Sequence, residues 1–370
     1  MQPLLNHDEL RESIRELLGA ESDSHAVRKA LDGDARIREQ LWAKVAELGW
    51  LGLPIQEKFG GLGLSLAEAA IAYEEFGRYL TPAPFMTTLL AAHALSLAGS
   101  EEQKSRWLPA IASGQTAASV ALPRANGSVK VAPLAGAMRL SGKLHHFVDA
   151  NVADLLLVPI GDSAGQSGLA IVDRTSSGVE VVARATIDRT RTLNDVTFKD
   201  VEVPAERVLP LSAQHWDDLF DHVSVALACD SIGGAAHILE MTVEYLKTRV
   251  QFNRPIGSFQ ALKHRCASWK ILQEAAHALT GNAAKMLAAD DAGQRASWAS
   301  SAKFYACDAY ASIAGDAVQL HGGIGFTWEH DCHLFLKRAK LNQMLFGSAA
   351  EHQERVAKSV LPSTTNDTRR

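Results

Sequence analysis

Residues Tyr245 to Gln260 read YLKTRVQFNRPIGSFQ. A helical pattern runs into this stretch: Ile238, Leu239, Thr242, Tyr245, Leu246 and Arg249 recur three and four residues apart. The helix should then stop. Asn253 tolerates left-handed backbone, Pro255 cannot continue a helix, and Gly257 permits a turn. A second helical pattern starts near Phe259. The segment therefore reads as helix, polar turn, helix, with Arg249, Gln251, Phe252 and Gln260 at the corner. An arginine offers forked donors to phosphate, and amides offer paired donor and acceptor, so the corner suits a flat, polar, anionic cofactor. Residue types alone favour the plainer reading, a helical hairpin with a solvated arginine.

Outward from that corner, the chain has 370 residues, 47% hydrophobic and 21% charged, enough for a large core in two or three domains. A net charge of -5 with scattered basic residues gives no reason to expect nucleic acid as partner. The opening MQPLLNHDELRES lacks a cationic start followed by an apolar run, and apolar runs elsewhere are short and interrupted. The expectation is a cytoplasmic protein without a membrane span. Cys229, Cys266, Cys307 and Cys332 are far apart and form no CxxC pair, which fits reduced, mostly buried thiols. His145-His146 and His330/His333 come with no HExxH and no cysteine–histidine cluster, so no metal site is expected.

Residues 1–116 read as helical. Asp8 to Leu18 and Ala35 to Leu48 are amphipathic, and Ser65 with Glu68 three residues on predicts a capping box opening another helix. That helix carries Ala69, Ala70, Tyr73, Phe76 and Leu80, and Glu101 to Ile111 gives one more. Residues 117–210 change character. Short valine-rich stretches, Ala117–Leu122, Val129–Ala132, Met138–Phe147, Asp154–Ile160, Gly168–Asp173, Gly178–Val182 and Asn194–Val203, predict a small barrel or sandwich. Residues 211–361 are helical again, with four long segments: Trp216–Arg249, Phe259–Leu287, Arg295–His321 and Glu329–Phe346. Their lengths and short connections predict an antiparallel bundle. The polar tail 362–370 is expected to be disordered.

Three motifs raise the cofactor reading above the plain hairpin. The Arg249–Gln260 segment resembles the RxQFGxPIxxFQ signature of the acyl-CoA dehydrogenase family, with Asn253 where glycine is usual. Gln319-Leu320-His321-Gly322-Gly323-Ile324-Gly325-Phe326-Thr327-Trp328-Glu329-His330 resembles that family's QxxGGxGF motif. Glu57-Lys58-Phe59-Gly60-Gly61-Leu62-Gly63 resembles its YGGxG turn. The three stand in the family's order and span most of the chain. The resemblance implies an α+β fold of N-terminal helical domain, middle β domain and C-terminal four-helix bundle, the order the patterns give independently.

The resemblance also implies chemistry. Such enzymes hold flavin adenine dinucleotide (FAD) between the middle domain and the bundle, and a neighbouring subunit completes the site. A carboxylate takes the α-proton of an acyl-CoA thioester and the β-hydrogen leaves as hydride to the flavin, giving the 2,3-enoyl-CoA. Arg249, Gln251 and Phe252 match positions that contact the flavin across the subunit interface, and Phe259 and Gln260 match neighbouring contacts. Gln319, Gly322 and Gly323 match the loop against pyrophosphate and adenosine, where glycine lets backbone approach phosphate oxygens. The expected partners are an acyl-CoA substrate, an electron-transfer flavoprotein and a homologous subunit, in a homo- or hetero-oligomer that is a dimer or a tetramer.

Three departures stand against a complete site. Leu122-Pro123-Arg124-Ala125-Asn126-Gly127-Ser128 replaces a TEPGxGSD-like segment and lacks its Glu and Asp. His146-Phe147-Val148-Asp149 replaces WITN, with Val148 for the hydroxyl-bearing threonine. Gly347, in Phe346-Gly347-Ser348-Ala349, occupies the position of the catalytic glutamate. The alternative base position, on the first helix of the bundle, falls at Val223, also inert. Asp221 is the leading substitute, ahead of Asp218, Glu351 and Asp230, while Asp217 and Asp218 read better as a solvated helix start.

Two functions follow. In one, the chain is a partner subunit that lends Arg249, Gln251, Gln260 and the Gln319 loop to a related chain. The HGGIGFTWEHD and RPIGSFQ runs and the altered middle domain resemble a bacterial subgroup with paired, unlike subunits acting on CoA thioesters of bulky substrates such as steroid side chains. In the other, the chain is a self-sufficient homomeric dehydrogenase whose carboxylate has moved. A flavin-dependent oxidase or nitroalkane-type enzyme on the same scaffold is a more distant reading. The sequence does not choose between fatty and steroid substrates.

Overall fold

The computed structural model describes residues 7–122, 127–161, 167–289 and 294–361. Six helices come first: α1 (His7–Glu21), α2 (Ser24–Leu31), α3 (Ala35–Glu47), α4 (Leu66–Arg78), α5 (Phe85–Ala98) and α6 (Glu101–Ala112). The Ser65–Glu68 capping box is present at α4, with the Ser65 backbone N–H donating to Glu68 Oε2 at 2.8 Å. α2 and α5 were not evident from sequence. α5 is apolar on all sides and so shows no period, because it runs through the core rather than along it.

Eight strands follow: β1 (Ala118–Val120), β2 (Gly127–Leu134), β3 (Ala137–Val148), β4 (Leu155–Gly161), β5 (Ser167–Asp173), β6 (Val179–Ala183), β7 (Leu193–Pro204) and β8 (Val208–Pro210). They form two four-stranded sheets, ordered β1-β4-β5-β8 and β2-β3-β7-β6. Leu156, Val158, Ala170 and Val172 of the first sheet share a core with Leu140, Phe147, Val196 and Phe198 of the second, so the middle unit is a sandwich. The short β8, missed between its two prolines, extends the first sheet by pairing with β5.

The C-terminal part contains α7 (Ala213–Thr248), a hairpin of β9 (Val250–Gln251) and β10 (Arg254–Pro255), then α8 (Gln260–Ala288), α9 (Arg295–His321), α10 (Cys332–Met344) and α11 (Ala349–Val360). α7 is long and apolar enough to cross a bilayer by length and composition, but 89% of its most apolar window is buried within the protein. It is a core helix. Its glycines explain how closely it packs. A Cβ on Gly233 would come within 1.8 Å of the Glu74 carbonyl oxygen on α4, and one on Gly234 within 2.4 Å of the Tyr310 ring on α9.

One buried ionic hub joins the layers. Asp230 on α7 accepts from Arg191, which precedes β7, at 2.7 Å and from Arg338 on α10 at 2.8 Å. The Asn342 amide donates to the other Asp230 oxygen at 2.7 Å, and Arg338 Nε donates to Thr190 at 2.8 Å. Asp230, a distant candidate for the base, is thus wholly engaged in holding sandwich to bundle.

Candidate functional site

The signature turn is built by backbone geometry. α7 ends at Arg249, whose N–H donates to the Tyr245 carbonyl at 2.9 Å. The β9–β10 hairpin then turns through Phe252 (φ 55°) and Asn253 (φ 59°), both left-handed, as a two-residue primed turn requires. Asn253 replaces the usual glycine because asparagine tolerates that region. Phe252 meets Phe259 edge-on at 5.9 Å, and Arg254 lies 4.0 Å over the Phe259 ring. Arg249, Gln251 and Gln260 are exposed, and Phe252 is 84% exposed.

The glycine loop lies against the same end of the bundle. α9 stops at His321, and Gly322 (φ 65°) turns the chain away. A Cβ on Gly322 or Gly323 would meet nothing within 4 Å, so this backbone is open to an approaching group. The Tyr245 ring stacks on His321 at 4.4 Å and its hydroxyl donates to the His321 carbonyl at 3.3 Å. That contact brings the Arg249 and Gln319 ends of two helices to one face. Ile324, Phe326 (81% exposed) and Trp328 extend the face as exposed apolar groups. The Tyr245–His321 stack was not legible beforehand, since its residues lie 76 apart.

The second half of the site is a cavity of about 490 Å³ between the sandwich and the α10–α11 turn. Hollows of about 520 Å³ beside Trp107 and beside Met138 touch neither the Arg249 turn, the Gly322 loop nor Gly347. A bulge between Leu144 and Phe147 turns both His145 and His146 toward the cavity, with His146 at φ 58°. His145 Nδ1 lies 3.0 Å from the Asp195 carboxylate, which Arg184 first, then Lys143 and His145, hold far below the usual range against the opposing effect of burial. Val148 presents an aliphatic wall. Residues 123–126 of the altered TEPGxGSD-like segment, and the tail 362–370, lie outside the described residues.

Gly347 lines this cavity at φ 106°. A Cβ there would sit 3.1 Å from His352 Nε2. Its carbonyl accepts from the fully buried Lys303 ammonium at 2.5 Å. Lys303 also donates to the Gln343 carbonyl at 3.0 Å, so a lysine in the apolar heart of α9 pins the turn. Burial lowers its pKa. Glu351 lines the same cavity, but its Oε2 caps α11 by accepting from the Ser348 N–H at 2.7 Å.

The other acids lie elsewhere. Asp221 is 3% exposed, ion-paired to Arg355, and absent from the cavity lining. Burial pushes its carboxyl above the ordinary range, and Arg355 offsets this only in part. Val223 is buried in an apolar cluster. Asp217 is exposed, but Asp218 does not form a solvated helix start: it lies between His93 at 2.5 Å and Arg295 at 2.5 Å. Burial alone would raise Asp218, yet these partners hold it below the usual range. His93 is 125 residues away, which is why spacing gave no warning. Near the glycine loop, His321, His330 and Cys332 converge, contrary to the expectation of no cysteine–histidine cluster.

Comparison with known proteins agrees with this fold. Residues 6–115 match the model of the acyl-CoA dehydrogenase N-terminal domain and residues 217–361 that of the C-terminal domain. The chain is 33% identical over 98% of its length, and 100% of the relative's, to the acyl-CoA dehydrogenase IpdE2 of Mycobacterium tuberculosis. Among solved structures, a chain of the ChsE4-ChsE5 complex from Mycobacterium tuberculosis superposes with a TM-score of 0.89 at 26% identity, covering 98% of this chain and 99% of that one. A chain of the Tcur3481-Tcur3483 steroid acyl-CoA dehydrogenase superposes at 0.86 with 29% identity, covering 96% and 97%. Fold and motifs thus define a flavoprotein oxidoreductase scaffold. The chain belongs to the acyl-CoA dehydrogenase family.

Proposed function

We propose that this chain is one subunit of an FAD-dependent acyl-CoA dehydrogenase built with an unlike, related subunit that carries the catalytic base. The observation behind this reading is a division of the site. The residues a subunit offers to its neighbour are intact and exposed on one face, whereas the cavity it would use itself has Gly347 at the base position. The similarity to a chain of the ChsE4-ChsE5 complex supports a paired assembly.

FAD fits the exposed face. Arg249 would hold a phosphate by a charge-assisted bond, and Gln251 and Gln260 would supply amide donors and acceptors. The open backbone at Gly322 and Gly323 would admit pyrophosphate, with Gln319 beside it. Phe252 would cover the flavin's aromatic part. When bound, the flavin accepts the β-hydrogen of an acyl-CoA thioester. This chain's task is to bind and orient it and to exclude water with Phe252, Ile324 and Phe326. The similarity to a steroid acyl-CoA dehydrogenase favours a bulky thioester as substrate. An electron-transfer flavoprotein is the proposed acceptor.

Glu351 supports a second reading, a self-sufficient enzyme with a relocated carboxylate, because it shares the cavity with Gly347. Asp221 serves this reading less well, being paired to Arg355 away from that cavity. The test is to purify the chain alone and with a co-expressed homologue, quantifying flavin per chain and bleaching by acyl-CoA. The paired reading expects flavin and bleaching only with the partner. Flavin near one per chain with bleaching by the chain alone, abolished by Glu351→Gln, would establish the second reading.

A further inference from the structure

We propose that His321, His330 and Cys332 form a binding site for a single zinc-type divalent cation, which clasps the base of the glycine loop. His321 is the last residue of α9, His330 lies in the following turn, and Cys332 opens α10. One ligand atom from each lies within 4.8 Å of the other two. Ligands of a tetrahedral zinc stand about 3.5 Å apart, so His330 and Cys332 would rotate inward to close the set. Imidazole and thiolate together are donors that suit zinc rather than magnesium or calcium.

The hydrogen bonds prepare His321 for this role, whereas His330 Nδ1 accepts from the Cys332 N–H at 3.3 Å, a long bond that the cation would replace. His321 is 3% exposed, and its Nδ1 donates to the Ala317 carbonyl at 2.8 Å. That bond fixes the tautomer, leaving the lone pair on Nε2. Nε2 is buried and has no hydrogen-bond partner. A metal-ligating histidine ordinarily shows this arrangement, one nitrogen anchored to a carbonyl and the other free. The Cys332 sulfur lies 3.2 Å from the protonated Nδ1, so its side chain must rotate toward Nε2 to join the cation. Cys332 is fully buried and His330 is half-buried. The fourth position would face the half-buried side and take water. On binding, the Cys332 thiol releases its proton to solvent and its sulfur joins the cation. Sequence gave no signal, because an H-x8-H-x-C spacing matches no familiar zinc motif.

The consequence is mechanical. The cation would tie the two ends of residues 322–331, the loop bearing Gly322, Gly323 and Phe326. Tyr245, stacked on His321, would carry that order to the Arg249 turn. Cation binding stands on its own, whereas its effect on flavin retention rests on the function proposed above.

The test uses the full chain without flavin, stripped by a chelator under reducing conditions and titrated with Co2+ and Zn2+. The expected result is one Co2+ per chain, with a thiolate-to-cobalt charge-transfer band and the visible bands of four-coordinate cobalt, displaced by Zn2+. His330→Asn and Cys332→Ala should each lose the charge-transfer band or bind at least tenfold more weakly, while Cys266→Ala should not. Circular dichroism of the metal-free variants separates loss of ligand from loss of fold, and His330→Asn, at the half-buried position, keeps the test valid if Cys332→Ala does not fold. No stoichiometric cation, or a cobalt–thiolate spectrum persisting in Cys332→Ala, would overturn the proposal. Binding is read without flavin or substrate, so its failure leaves the proposed function standing, and failure of that function leaves the site standing.

Discussion

The face around Arg249 and the cavity around Gly347 were built under different demands. On the face, unusual backbone is used to expose side chains: two left-handed residues turn the hairpin, Gly322 turns the loop, and Phe252 and Phe326 stand in solvent. In the cavity, the residue at the base position has no side chain at all: Gly347 is left-handed and its carbonyl is pinned by Lys303. Apolar exposure at the first region is a cost to an isolated chain that a neighbour removes. The turn in the second is pinned within the chain itself, by Lys303 on Gly347 and Gln343. Under the paired-subunit proposal, the difference means that half of a shared site is kept while the other half is reduced to structure.

The largest expected effect removes what both regions depend on. Asp230→Ala leaves Arg191 without its ion-pair partner and Arg338 with only Asp188, at 3.3 Å, and should destabilise the fold by about 3–5 kcal/mol. Thermal melting and soluble yield would show it, with both halves lost together. A melt within a degree of the parent chain would mean that the hub does not join them.

Next comes the contrast itself. In the partnered enzyme, Arg249→Ala should weaken flavin retention by about 1.5–3 kcal/mol, on the order of 10- to 150-fold. Glu351→Gln, in the cavity, should leave flavin content unchanged. Equal losses in the two variants would erase the distinction between lent face and own cavity.

A smaller effect separates folding from function. His237 on α7 stacks on Phe335 at 5.0 Å, and burial lowers its pKa from 6.5 to about 4. The unfolded chain therefore takes up this proton below about pH 6.5 while the folded chain resists it until near pH 4. Stability should fall as pH drops through that window, by about 2 kcal/mol at pH 5 from this residue. His237→Phe should flatten the difference between melts at pH 7 and pH 5. An unaltered pH dependence would show that His237 is not its source.

Much of the fold was legible because it rests on local rules. Ser65 and Glu68 announced α4, and valine alternation announced seven of the eight sandwich strands. α5 was hidden by being apolar on every side, and β8 by two flanking prolines. The candidate face was legible as two of the three motifs, the Arg249 turn and the Gln319 loop, but its coherence was not. Tyr245 and His321, Asp218 and His93, and Lys303 and Gly347 meet only after folding, and no spacing encodes such pairs. Asn253 is the instructive case: it departs from the usual glycine in sequence while meeting the same demand for positive φ.

The hub at Asp230 also has a consequence in time. Arg191, Asp230 and Arg338 are synthesised in that order, 39 and then 108 residues apart. At about 5–20 residues per second, the last interval lasts on the order of 5–20 s. Throughout it a nascent chain holds one carboxylate and one guanidinium destined for the interior, without the residue that completes them. A message truncated before codon 338 should therefore yield a chain that cannot dock its sandwich, although every strand of that sandwich has long since been made.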